Sequence, residues 1–70
     1  MITLAQIRLK LQAEIKNSGL SQSEIARRLG IRSQTVCNYV SGKKMPSLDT
    51  FANLCKVLDL DPTDILCLNE

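Results

Sequence analysis

The sequence predicts an all-α fold of five short helices, and three observations support this prediction. Apolar residues recur at spacings of three and four along most of the 70 residues, as they do in amphipathic helices. Glycine and the capping residues Ser, Thr and Asp stand between these stretches, where helices end and begin. Aromatic residues make up only 3% of the chain, so the core must consist of smaller apolar side chains, which suits helices better than a β-sandwich. This length allows one domain, residues 1–70.

The first predicted helix begins after Thr3 and ends before Gly19. Thr3 can act as the N-cap, and Gln6 stands at the capping-box position three residues later. Gly19 follows Asn17 and Ser18, and it suits the left-handed conformation that often ends a helix. Apolar residues at helical spacing predict one continuous stripe on this helix: Leu4, Ile7, Leu11 and Ile15.

Residues 21–42 predict two more helices, helix 2 and helix 3, joined by a tight turn. Ser21 is a good N-cap for helix 2, and Glu24 has the spacing of a capping box. Gly30 follows directly after helix 2, where a positive φ is often needed. Helices joined by so short a turn cross steeply and need a small residue at the crossing, which Ala26 supplies. These features predict a helix-turn-helix.

The outward face of helix 3 carries short, uncharged polar side chains. An ordinary solvated face would hold Lys and Glu, whereas hydroxyls and amides suit the reading of base edges. Gln34 and Asn38 lie one turn apart, and each can pair with N7 and N6 of adenine through one donor and one acceptor. The alternative is that both are plain surface residues. The predicted base-reading residues are Ser33, Gln34, Cys37 and Asn38.

Three stretches occur in a fixed order: Ser-Gln-x-Glu-Ile-Ala-Arg-Arg-Leu-Gly-Ile from Ser21, then Thr35-Val36, then Ser-Gly-Lys-Lys-x-Pro-Ser-Leu-Asp-Thr from Ser41. From about Leu9 to Leu66 the chain resembles the Cro/repressor-type (XRE-family) helix-turn-helix proteins. The resemblance implies a five-helix lambda-repressor-like DNA-binding domain with the helix-turn-helix at helices 2 and 3. It also implies a regulator of phage or bacterial type that binds a double-stranded DNA operator, with helix 3 in the major groove.

The resemblance also implies a set of phosphate contacts. Gln22 matches a family position that touches the DNA backbone, and the N–H groups at its helix N-terminus attract an anion. In the loop after helix 3, we expect Gly42 to free backbone N–H groups and two lysines to add positive charge. The predicted phosphate contacts are Gln22, Arg32, Thr35, Ser41, Lys43 and Lys44.

Arg32 departs from the family pattern, which usually has a capping Ser or Thr at this position. Arg cannot cap a helix, so two alternatives stay open. Ser33 takes over the cap and helix 3 begins one residue later, or phosphate or water satisfies the backbone N–H groups. In either case Arg32 lies beside the predicted DNA face, where a phosphate contact is favoured over a base contact.

Two further helices are predicted from start signals at Pro46-Ser47 and Asp61-Pro62, and the last should run roughly from Pro62 to Leu68. Residues 65–68 are four apolar residues in a row, more than one face can bury. This surplus and the small surface of one domain predict a homodimer through the C-terminal helices. Helix 4 should close the core over helices 1 and 2 with Leu48, Phe51, Ala52, Leu54, Cys55 and Leu58.

Charge is unevenly distributed along the chain. Residues 1–48 carry eight basic and two acidic side chains, whereas residues 49–70 carry one basic and five acidic side chains. A basic half that contains the helix pair is the expected electrostatic footprint on phosphates. Arg8, Lys10 and Lys16 of helix 1 are expected to be solvated, the alternative being phosphate contacts.

Other function classes lack support in the sequence. With no His and no Cys-x-x-Cys pair, we expect no metal, cofactor or disulfide, and we interpret Cys55 and Cys67 as core residues. No catalytic pair, nucleotide-binding loop or room for a small-molecule substrate is evident, so we expect no enzyme. No membrane segment or signal-peptide layout is present, which predicts a cytoplasmic location. The alternative to a DNA-binding regulator is a protein-interaction module, such as the antitoxin of a toxin–antitoxin pair.

Overall fold

The computed structural model describes residues 1–69, and within them it contains five helices and no strand. The predicted all-α fold is therefore confirmed. Glu70, one of the acidic residues counted above, lies outside the described residues. The helices are α1 (Leu4–Asn17), α2 (Gln22–Leu29), α3 (Ser33–Ser41), α4 (Leu48–Leu58) and α5 (Pro62–Ile65).

The start of α1 has the predicted capping box. The backbone N–H of Thr3 donates to Gln6 Oε1 at 2.8 Å, and the backbone N–H of Gln6 donates to Thr3 Oγ1 at 3.3 Å. At the start of α2 only half of the predicted box is formed. Ser21 Oγ accepts from the backbone N–H of Glu24 at 3.1 Å, but the Glu24 carboxylate turns instead to Arg27 and Arg28.

One apolar core joins all five helices. Helix α2 packs against α3 and α4, while α1 packs against α3 and α5. Helix α4 packs mainly on α2, and its residues Leu54 and Cys55 share the core cluster with Leu11 and Ile15 of α1. Tyr39 and both predicted core cysteines, Cys55 and Cys67, are buried. The core cluster consists of Leu11, Ile15, Ile25, Ala26, Val36, Tyr39, Leu54, Cys55 and Ile65.

Helix α4 buries a different set of positions from the one that the sequence predicts. Leu54 and Cys55 are buried, and the half-buried positions are 50, 51, 57 and 58, so that together they form one helical stripe. Ala52 lies one residue off this stripe and is exposed. Leu48, in the first turn of α4, is 86% exposed. The Ser47 hydroxyl makes no capping bond and donates instead to Asp49 Oδ1 at 2.6 Å.

Helix α5 is shorter than expected, because it ends at Ile65 and the chain continues in turns. In a continuous helix, Ile65 and Cys67 would point about 200° apart, since successive residues are about 100° apart. The turn, with φ of +62° at Cys67, allows both side chains to be buried. Leu68 remains 61% exposed. In residues 1–69 no helix is long and apolar enough to cross a membrane.

Candidate nucleic-acid interface

The turn between α2 and α3 fixes how α3 is presented. Gly30 ends α2 in the left-handed conformation, with φ of +69°. The next backbone N–H, that of Ile31, donates to the Ala26 carbonyl at 3.0 Å and closes the turn. Ala26 is buried, as expected of a small residue where two helices meet. Val36, on the inner side of α3, is fully buried. The local geometry is therefore that of the predicted helix-turn-helix.

The predicted base-reading residues share the outward side of α3. Ser33 and Gln34 are exposed, and Cys37 and Asn38 are half-buried. The opposite side of the same helix carries the buried residues Val36 and Tyr39. The structure thus brings the four polar positions together on one accessible surface, which we call the polar face of α3: Ser33, Gln34, Cys37 and Asn38.

Two amides of this polar face are joined to each other. Gln34 Nε2 donates to Asn38 Oδ1 at 3.3 Å, across one turn of α3. The bond occupies one donor of Gln34 and one lone pair of Asn38. Gln34 keeps its own acceptor and a second N–H, while Asn38 keeps two donors and one lone pair. The two side chains therefore offer different hydrogen-bonding edges, which the sequence could not show.

The N-terminus of α3 has no side-chain cap. Arg32 occupies the N-cap position and makes no capping hydrogen bond, and α3 begins at Ser33. The first of the two alternatives for Arg32 is therefore wrong, because Ser33 does not take over the cap. Arg32 is exposed, so its guanidinium is accessible to an anion or to water. In the first turn of α3, the Thr35 N–H donates to the Arg32 carbonyl at 3.0 Å.

In the loop after α3, two backbone N–H groups donate to carbonyl groups of α3, which the sequence did not predict. The Gly42 N–H donates to the Tyr39 carbonyl at 3.3 Å, and the Lys44 N–H donates to the Asn38 carbonyl at 3.2 Å. These bonds close the end of α3, so the N–H groups of Gly42 and Lys44 are engaged within the protein and are not free for phosphate. Lys43 and Lys44 are exposed, and their side chains carry the positive charge of this loop.

The remaining predicted phosphate contacts have varied surroundings. Gln22 is exposed at the first position of α2, next to the Ser21 cap. Thr35 is half-buried. The Ser41 hydroxyl donates to the Asn38 carbonyl at 3.2 Å and remains exposed.

An ion-pair cluster on α2 was missed at the level of sequence. The Glu24 carboxylate accepts from Arg27 Nη2 at 2.6 Å and from Arg28 Nε at 3.2 Å. The pKa of Glu24 is lowered from 4.5 to about 2, and the hydrogen bond from Arg27 is the largest cause. Desolvation is the next largest effect and opposes the shift, while the hydrogen bond from Arg28 adds to it. Spacings of three and four were the available signal. Two cations of the basic half are thus held by a carboxylate.

A second missed contact ties α1 to the end of α3. Gln12 Nε2 donates to the Val40 carbonyl at 2.7 Å, in a partly buried position. No pattern in the sequence could identify Val40 as the partner of Gln12, because the two residues are far apart in the chain. The bond fixes the C-terminal turn of α3 relative to α1 and so helps to position the polar face.

No group of His, Cys, Asp and Glu side chains in residues 1–69 is arranged to hold a metal ion. The three cysteines are unpaired thiols. Burial raises the pKa of the Cys55 thiol, and the nearby Asp61 carboxylate raises it further. Cys37 is the cysteine that reaches the surface of α3.

Comparison with known proteins supports the assignment of a helix-turn-helix domain. A family described as helix-turn-helix matches residues 11–65, which contain all of α2 to α5. A segment of 44 residues is 41% identical to the replication factor C small subunit of Thermococcus kodakarensis. The match covers 60% of this chain but spans only about 5% of the length of that relative. No solved structure matches the chain significantly.

Proposed function

The chain belongs to the helix-turn-helix family of the Cro/repressor type, and from this we propose that it is a sequence-specific transcriptional regulator that binds double-stranded DNA. The observation that carries the proposal is the polar face of α3, where uncharged amides and hydroxyls are accessible on a helix whose other side is buried. A helix of this kind fits the major groove, whose base edges offer donors and acceptors to amide side chains.

In the proposed complex, α3 lies in the major groove and α2 crosses above the backbone. Gln34 presents an acceptor and an N–H, the pair of groups that matches N6 and N7 of adenine. Asn38, whose Oδ1 already accepts from Gln34, presents mainly donors. Such donors suit the O6 and N7 acceptors of guanine at least as well as adenine. Ser33 and Cys37 complete the contact with hydrogen-bonding and small apolar groups.

Phosphate contacts on either side of the groove position the helix. Gln22 and the N-terminus of α2 would contact one strand, and Lys43 and Lys44 would contact the other. Arg32 stands at the uncapped start of α3, where phosphate would satisfy the first-turn N–H groups. Ser41 and Thr35 would add hydroxyl contacts. Because the amides of Gly42 and Lys44 are engaged in the protein, the lysine side chains would supply the main phosphate contacts of this loop.

A homodimer is part of the proposal, since one domain of this size buries too little surface for tight specific binding. Two copies related by a two-fold axis would read half-sites ~34 Å apart. Because Ile65 and Cys67 are buried, α5 itself offers less apolar surface than expected. Exposed apolar side chains elsewhere support a self-contact that combines the N-terminal residues, α1, the start of α4 and the C-terminal turn: Ile2, Leu4, Leu9, Leu48 and Leu68.

Binding-site selection from random duplex DNA tests this function. We expect enrichment of one short motif, repeated as an inverted pair, and binding that weakens steeply as salt is raised. Sedimentation with and without the selected duplex tests the dimer, and a strict monomer in both samples would reject it. Salt-independent or undetectable DNA binding would favour the alternative, a protein-interaction module such as an antitoxin.

A further inference from the structure

Arg8 on α1 lies against the C-terminal end of α3. A Cβ atom placed on Gly42 would stand 3.2 Å from Arg8 Cδ and 3.3 Å from Gln12 Nε2. The Arg8 stem therefore packs directly over the backbone of Gly42, which has φ of +81° and no side chain of its own. The expectation that Arg8 is simply solvated is wrong for this part of the side chain, because Arg8 is half-buried.

The guanidinium of Arg8 has a donor that no group in residues 1–69 satisfies, because its Nε is buried and makes no hydrogen bond there. Within residues 1–69, the arginines that form ion pairs are Arg27 and Arg28, and both pair with Glu24. An arginine donor without an acceptor is costly when water is excluded from it, so an acceptor supplied by a ligand would be favourable.

The carbonyl groups at the end of α3 do not supply that acceptor. The Val40 carbonyl accepts from Gln12, and the Tyr39 carbonyl accepts from the Gly42 N–H. The Asn38 carbonyl accepts from both the Lys44 N–H and the Ser41 hydroxyl. These three carbonyl groups thus accept hydrogen bonds from other donors. Arg8 adds a positive charge at the same end of α3.

We propose that Arg8 binds a DNA backbone phosphate next to the loop formed by Ser41 to Lys44, so that α1 takes part in the DNA contact. The proposal rests on the DNA-binding function proposed above and adds a residue to it. The planar guanidinium can donate two parallel hydrogen bonds to phosphate oxygens, which a lysine in the same loop cannot do. Arg8 would therefore order the phosphate as well as attract it.

The test compares single variants in which a cation is replaced by glutamine. Arg8→Gln and Lys44→Gln remove proposed phosphate contacts, whereas Lys56→Gln removes an exposed cation on α4 and serves as the matched control. Fluorescence anisotropy with a mixed-sequence duplex over a salt series gives the slope of log affinity against log salt. We expect the magnitude of this slope to be smaller by about 1 for Arg8→Gln, as for Lys44→Gln, and to be unchanged for Lys56→Gln.

A purely structural role of Arg8 would give a different result. Loss of folding would lower the thermal midpoint and weaken binding at every salt concentration, without changing the slope for the folded fraction. Arg8→Lys, which keeps the charge, should restore the slope if Arg8 meets a phosphate. A wild-type slope for Arg8→Gln beside a reduced slope for Lys44→Gln would overturn the Arg8 contact alone. Absence of DNA binding by the wild-type chain would overturn both proposals.

Discussion

Gln34 and Asn38 are hydrogen-bonded to each other on the exposed side of α3, with Gln34 Nε2 lying 3.3 Å from Asn38 Oδ1. The bond holds two long polar side chains in a defined relative position before any DNA is bound. Side chains that are already ordered lose less conformational entropy when they meet a base pair. The two amides should therefore act as one recognition unit.

Replacing Gln34 by alanine should lower specific DNA affinity by about 1–3 kcal/mol and relax the preference at one base pair. It also releases the Asn38 oxygen, so the preference at the Asn38 position should change as well. Competition binding with a set of single-base operator variants measures both effects. Asn53→Ala, which removes an exposed amide from α4, is the control and should leave the base preferences unchanged. An equal loss on all sequences would count against base reading by Gln34.

Replacing Gly42 by alanine should destabilise the fold more than replacing Gly19. Both glycines have a positive φ, so each alanine carries a conformational penalty of about 1–2 kcal/mol. A Cβ at position 42 would also press on Arg8 and Gln12, whereas one at position 19 meets nothing within 4 Å. Chemical denaturation of the two variants gives the difference in the free energy of unfolding. Equal destabilisation would show that α1 does not press on the end of α3.

The Glu24 carboxyl should titrate at about pH 2, because Arg27 and Arg28 donate hydrogen bonds to its charged form. A folded-state pKa below the ordinary value of 4.5 means that the pairing stabilises the fold at higher pH. This contribution is present above about pH 4.5 and is lost as the pH falls towards 2. Carboxyl-carbon NMR titration measures the midpoint directly, and a midpoint near 4.5 would mean that the ion pairs do not persist in solution.

Thiol-specific labelling of the folded protein should modify Cys37 first. Cys37 is partly accessible on α3, whereas Cys55 and Cys67 are buried. For Cys55, burial also raises the pKa, so less of the reactive thiolate is present at neutral pH. Mass spectrometry of peptides after timed labelling gives the order of reaction. In denaturant the difference should disappear, and rapid native labelling of Cys55 would contradict the packing of α4.

Much of this fold could be predicted because its start and stop signals are local. The Thr3–Gln6 capping box, the left-handed Gly30 and the Asp61 cap each depend on residues only a few positions apart. Glu24 shows the limit of such signals, because its carboxylate could accept a hydrogen bond either from the Ser21 N–H or from the arginines one turn later. Two hydrogen bonds from the Arg27 guanidinium are charge-assisted and stronger than one bond to the Ser21 N–H.

The features that sequence patterns missed depend on distant packing. The end of α5 at Ile65 follows from the burial of both Ile65 and Cys67, which no continuous helix permits. The contacts of Gln12 and Arg8 with the end of α3 join residues about thirty positions apart. For the polar face, spacing alone predicted which residues lie together, but the bond between Gln34 and Asn38 depends on side-chain rotamers that spacing does not define.

Parallel binding-site selections with the wild-type chain and with a Gln34→Ala, Asn38→Ala double variant test most directly whether α3 reads base edges. We expect the wild-type chain to enrich a defined motif. The double variant should lose the preference at the base pairs that these amides contact while keeping its salt-dependent affinity for DNA. Enrichment of the same motif by both proteins would contradict base reading by the polar face of α3.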